Sequence, residues 1–155
     1  MCTGIALAYS ELPVSLVEEH GLEARIHSRG GEKEVRFYWR AVPALLPVWW
    51  GGKLHVVRWG NRDREERKLP PTAWTWRQTV EEGRWAELEP EPVEIPASAL
   101  LMNGVWLKTK VGMRGLLVRD QRGKAVVFVV CEPATRYYRV ATRSEWMPVL
   151  IDEVI

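Results

Sequence analysis

Leu45-Leu46-Pro47-Val48-Trp49-Trp50 and Lys53-Leu54-His55-Val56-Val57-Arg58-Trp59 flank the pair Gly51-Gly52. Both runs are short, apolar, and rich in β-branched and aromatic residues, which favour strands. A Gly-Gly link fits the tight turn of a hairpin, whose two central residues need positive φ. The same reading extends outward. Residues 22–28 and 34–41 flank Gly30-Gly31, and residues 2–9 read as a first strand. Downstream, 93–110, 116–119 and 125–130 are apolar strand candidates, with Gln121-Arg122-Gly123 turning between the last two, and 147–151 is a final strand.

Helix signals are sparse. Residues 13–19 form a plausible helix, with Ser10 as cap and Gly21 as stop. Residues 73–82 are expected to be a helix begun by Thr72, and 133–138 a helical turn. The charged segment 61–72 ends in Pro70-Pro71 and reads as a surface loop, and 87–92 as an acidic connector. Strands interrupted by isolated helices predict an α+β fold: mainly an antiparallel β barrel or sandwich with a few short helices.

A chain of 155 residues fits one domain, 1–155, large enough to bury a core without staples. The composition, 46% hydrophobic and 27% charged, is that of a soluble globular protein. No apolar run approaches the length of a membrane helix, and no basic-then-apolar leader opens the chain, so no membrane partner is expected. Cys2 and Cys131 are the only cysteines, with no spacing that suggests a metal site. A cytoplasmic monomer without metal or cofactor is the expectation.

The net charge is only +2, but arginine dominates the basic side, 16 against 6 lysines, beside nine tryptophans. Arginine tracks phosphates and indoles stack on bases, the combination that holds single-stranded nucleic acid. Six of the nine indoles are expected in the core, because tryptophan is buried on average. The weak net charge means that any basic groove is local.

Cys2 is the most informative single residue. If Met1 is removed, Cys2 carries a free amine and a thiol on adjacent carbons, titrating near about 8 and about 8.5. Such a pair attacks an aldehyde twice: the amine forms an imine and the sulfur closes a thiazolidine. The alternative is a small residue that merely starts a strand.

Several short segments then follow in a telling order. They are Met1-Cys2, Pro43 with Pro47-Val48, Arg58-Trp59-Gly60, Ile95-Pro96-Ala97, Gly104-Val105-Trp106, Val129-Val130-Cys131-Glu132-Pro133-Ala134 and Met147-Pro148-Val149-Leu150. Together they resemble the SOS-response-associated peptidase family, whose members capture abasic sites in single-stranded DNA through Cys2. The resemblance implies a thiazolidine DNA–protein crosslink in a DNA-damage response, and an autopeptidase activity.

The departures fall on the assisting residues. The family histidine, three residues before the Met of the terminal box, is Ser144 here, and the only histidines are His20, His27 and His55. The family glutamate has Leu107 in its place, and the stretch expected to hold an asparagine reads Trp74-Thr75-Trp76-Arg77-Gln78. Ser144, its neighbour Glu145 and a pocket-facing His55 are the candidate helpers. Arg58, Trp59, Arg77, Trp49 and Trp50 are the candidate DNA contacts. General acid–base help is worth a factor of about 10² to 10⁴, so its loss slows ring closure without forbidding it.

Three readings remain open at this stage. One is a covalent sensor of abasic single-stranded DNA. Another is a binding module of the same fold without efficient chemistry. The third is an unrelated N-terminal-nucleophile hydrolase, since glutamine amidotransferases also begin with Met-Cys.

Overall fold

The Gly51-Gly52 hairpin forms as the sequence suggests. In the computed structural model, which describes residues 1–153, strands β4 (Leu45–Trp50) and β5 (Lys53–Trp59) pair antiparallel, Leu45 opposite Arg58 and Trp50 opposite Lys53. Positive φ at both turn positions recurs at Gly30-Gly31, Gly51-Gly52 and Asn103-Gly104. Each of these pairs links two neighbouring antiparallel strands.

The hairpin is the floor of a barrel. Strands β7 (Glu91–Pro96), β10 (Gly112–Arg119) and β11 (Ala125–Pro133) complete the order β10-β7-β4-β5-β11, and β10 pairs with β11 to close the ring. Its pairings are antiparallel except β5 with β11, so the five-stranded barrel is mixed. Two three-residue strands lengthen β11. One is β6 (Trp74–Trp76), parallel to it, and the other is β12 (Trp146–Pro148), antiparallel to it. β11 therefore carries β10 and β12 along one edge, and β5 and β6 along the other.

β11 reads as a continuous apolar run because both of its faces are covered. Val127, Val129 and Cys131 enter the main core, whereas Val126, Phe128 and Val130 join a second cluster beneath Trp85. The Trp85 indole donates to Thr75 Oγ1 at 2.9 Å and packs on Phe128, ring centroids 5.0 Å apart.

The second sheet is antiparallel, with β1 (Cys2–Ala8) at its centre. Around it lie β2 (Ile26–Arg29), β3 (Glu32–Tyr38), β8 (Ala99–Met102) and β9 (Val105–Lys108), in the order β2-β3-β1-β8-β9. Ile5, Phe37 and Leu100 pack with Leu46, Val48 and Val127 of the barrel, so the two sheets share one core. On β3, the Glu34 carboxylate is clamped by Arg29 and Arg36, each at 2.8 Å.

Three short α-helices complete the described residues: α1 (Val14–Glu19), α2 (Arg77–Glu81) and α3 (Arg136–Thr142). None is long and apolar enough to cross a membrane.

Three expectations need correction. Residues 73–82 are not one helix. Trp74-Thr75-Trp76 pairs with β11 and buries Thr75 before α2 begins, because bulky and β-branched residues gain more from a sheet partner than from a helical turn. Ser10 does not cap α1. It lies in a separate 3-10 turn, and Pro13 holds the cap position. Finally, Trp59 and Trp85 alone among the nine indoles are buried, while Trp49, Trp76 and Trp146 are exposed and the other four half-buried. Most of the indoles sit at strand ends and edges, where one face stays in water.

Candidate functional site

β1 carries Cys2 into the core, where it is fully buried. Its thiol donates to Gly4 O at 3.3 Å, and its carbonyl accepts the Trp74 indole N–H at 2.8 Å. One residue earlier, the Met1 ammonium donates to Ser144 Oγ at 3.0 Å.

Ser144 is aimed there by the chain reversal that ends α3. Arg143 takes a left-handed conformation at φ +58, after a helix capped at its start by Thr135, whose hydroxyl accepts from the Tyr138 amide. The Ser144 amide then donates to Thr142 Oγ1 at 3.2 Å, and Thr142 Oγ1 donates to Tyr138 O at 2.6 Å. Ser144 Oγ donates onward to Trp146 O at 2.6 Å, which joins the N-terminus to β12 by two hydrogen bonds.

Burial dominates the electrostatics. It pushes the Cys2 thiol up to about 12, against the lowering effects of its bond to Gly4 and of the nearby terminal ammonium. Cys131 is also raised, first by burial and then by its nearness to Cys2. Tyr138 is raised to about 12, again mainly by burial. Cys131, Tyr138 and the terminal amine thus each lie close enough to Cys2 to be electrostatically linked to it. With Met1 in place the thiol is protonated and covered, and the half-buried Met1 packs against the core beside it.

The remaining sequence candidates divide. Glu145 is exposed and leans toward Arg139 at 3.8 Å. His55 does not face Cys2: its Nε2 meets Trp50 O at 3.1 Å and its ring lies 5.1 Å from the Trp50 ring, at the far end of the β4–β5 hairpin. Its contact with Trp50, beside the Gly51-Gly52 turn, places it on a different surface. Leu107, at the position of the expected carboxylate, is half-buried and packs on the core.

The expected DNA contacts are largely engaged within the protein. Trp59 is interior, 1% exposed, with its indole N–H on Ala73 O at 3.1 Å, so it presents no ring to a ligand. Arg58 donates to Asn61 Oδ1 at 3.1 Å and to Glu65 at 3.4 Å. Arg77 bridges Glu132 at 2.9 Å and Glu81 at 3.2 Å, and Glu132 holds its guanidinium above the ordinary pKa. Trp49 is exposed, whereas Trp50 is half-buried under the Arg119 guanidinium, 4.7 Å from its ring.

Sequence reasoning missed one feature. Trp76 of β6 and Trp146 of β12 stack on each other, ring centroids 4.3 Å apart and planes at 30°. They meet because β6 and β12 flank β11 at the same height, Cys131 pairing with Trp76 on one edge and with Pro148 on the other. The pair walls a groove of about 460 Å³ that also holds Arg77, Gln78 and Glu132. Trp74 lies two residues before Trp76, under the Trp39 ring at 4.9 Å. The Trp-x-Trp spacing is the one sequence signal for this aromatic surface.

Among the described residues no cluster of His, Cys, Asp or Glu is arranged to hold a metal ion. Comparison with protein-family models, with curated proteins and with solved structures finds no match for this chain.

Proposed function

We propose that this protein binds single-stranded DNA and captures abasic sites through Cys2 once Met1 has been removed. The observation that carries the reading is the meeting of the N-terminus, the Cys2 thiol and Ser144 at one place, two hydrogen bonds from an exposed aromatic groove. These are the positions at which the resembled family does its chemistry.

Removing Met1 has two effects at once. It vacates the space that the Met1 side chain fills over the core, and it moves the free amine onto Cys2 itself. The ring-opened sugar of an abasic site offers an aldehyde. The amine adds to that carbon and water leaves, giving an imine. The sulfur then adds to the imine carbon, the nitrogen takes the thiol proton, and the ring closes with one water lost in total. Ser144, whose hydroxyl accepts from the Met1 ammonium, is the hydroxyl at hand to hold the amine in line. It is a poor proton donor near neutral pH, so closure and reopening are both slow.

The setting is the cytoplasm, where the thiol stays reduced, and the active form is a monomer. A binding module without chemistry is the second reading. It is favoured by the deep burial of Cys2 and because, among the described residues, its thiol bonds to Gly4 O rather than to a carboxylate or imidazole.

The test is a denaturing gel with an abasic single-stranded oligonucleotide and protein shown by intact mass to lack Met1. A slowly forming, long-lived adduct that is lost in Cys2→Ala is expected. Adduct formation by Cys2→Ala at the wild-type rate refutes the mechanism. No adduct after long incubation, with binding intact, leaves the module.

A further inference from the structure

The groove beside the stacked indoles has a charge balance that argues against a phosphate. Its charged lining is Arg77 and Arg84 against Glu81, Glu82 and Glu132. Both arginines are already held by these carboxylates, Arg77 by two of them and Arg84 by Glu82 at 3.0 Å. A polyanionic backbone gains nothing from such a surface.

A flat, uncharged ring does gain. Trp76 and Trp146 each leave more than a third of their surface in water, 38% and 36%. They are locked against each other, so little side-chain freedom remains to be lost when a third ring joins the stack. Beside them one Glu132 carboxylate oxygen accepts from Arg77, and the other has no protein donor among the described residues. A carboxylate at the edge of a stacking surface accepts from an exocyclic amine, as cytosine N4 offers, and repels a carbonyl edge.

The position matters as much as the chemistry. Trp146 O accepts from Ser144 Oγ, which accepts from the terminal amine. Cys131, which pairs with Trp76 and lines the groove, also lies near Cys2, so the platform adjoins the N-terminus.

We infer that the Trp76–Trp146 pair is the stacking platform for one unpaired nucleobase, next to the nucleotide whose sugar reaches the N-terminus, and that it prefers an amino-bearing base to thymine. This rests on the nucleic-acid reading above and adds to it the subsite and its base preference. The phosphates run outside the groove, and the base enters it.

The experiment uses ten-nucleotide single strands of dC, dA and dT without abasic sites, so that it does not depend on Cys2 chemistry. Fluorescence anisotropy of labelled strands gives the affinities. dC and dA are expected to bind more tightly than dT. Trp76→Ala and Trp146→Ala are each expected to weaken dC binding by about tenfold or more, the usual loss when one stacking ring is removed. Trp76→Phe keeps a ring and is expected to retain most of the affinity, which separates stacking from misfolding. Glu132→Gln is expected to erase the preference of dC over dT.

Unchanged dC affinity in both alanine variants overturns the inference and leaves the nucleic-acid reading standing. Equal dC and dT affinity in the wild type overturns the base preference. Absence of any strand binding by the wild type removes both readings. Tryptophan-dependent binding without an abasic adduct supports the platform and counts against covalent capture alone.

Discussion

Retaining Met1 should silence the Cys2 thiol, and the size of the effect follows from its surroundings. Protein made with methionine aminopeptidase inhibited keeps Met1, and protein trimmed by that enzyme exposes the Cys2 amine. In the Met1-bearing chain burial carries the thiol from its ordinary 9.0 to about 12. A thiol alkylates as its thiolate, so three pH units lower the reactive fraction about a thousandfold at any pH below both values. Iodoacetamide labelling followed by intact mass is the assay. Labelling of the Met1-bearing chain is expected to be about a thousandfold slower than that of a free cysteine at pH 8. Its rate should rise about tenfold per pH unit without a plateau up to about pH 11. Cys131, buried in the same core and also raised, should be equally inert. In denaturant both cysteines should label at once. The trimmed chain should show one fast thiol. Labelling of native Met1-bearing Cys2 within tenfold of the free rate, or a plateau near pH 9, would refute the argument that Met1 keeps this thiol covered.

Three further outcomes follow from the same packing. Gly60 sits at φ +66, and a Cβ there would meet Thr72 O at 2.4 Å and Ala73 Cα at 2.8 Å. Both are backbone atoms that cannot swing aside, so Gly60→Ala should cost about 3 kcal/mol in urea unfolding. Trp59→Phe should cost about 1–2 kcal/mol, chiefly as a cavity, because Ala73 O keeps the Val129 amide as a donor. It should leave single-stranded DNA binding unchanged, since the ring is interior. Glu34→Gln should cost about 2 kcal/mol at pH 7, because it breaks a nearly buried clamp. Hydrogen bonding from Arg29, and then from Arg36, holds the Glu34 carboxyl below its ordinary 4.5. Its contribution is therefore present above about pH 4.5 and lost as pH falls through the depressed value, so urea midpoints of wild type and variant should converge in acid.

The hairpins were legible because their turns announce themselves. Gly-Gly between two short apolar runs leaves little else to build, and β4 and β5 begin and end where the residues suggest. The segment around Trp74 was not legible. Its strand exists only because β11, more than fifty residues later, offers Val129–Cys131 as partners, and no local pattern announces so distant a pairing. The indole count failed for a related reason. Burial belongs to a residue's place in the sheet, and β6 and β12 are short edges whose rings stay half in water. Within the site, the nearness of Ser144 to the N-terminus was available only through the family resemblance, since 143 positions separate it from Met1. His55 shows the limit of alternation: it says which face a side chain takes, not what waits at the end of the strand.

β11 also sets a schedule. Its four neighbouring strands are drawn from residues 53 to 148, and the barrel has no closed ring until β11 has joined both β5 and β10. On a ribosome, most of the chain must emerge before that closure is possible, and pairing between such distant segments is slow. Throughout this interval Met1 has no Ser144 to bind and no finished core to lie against. An aminopeptidase acting on the nascent chain meets a bare N-terminus, whereas one that arrives after folding meets a methionine already tethered.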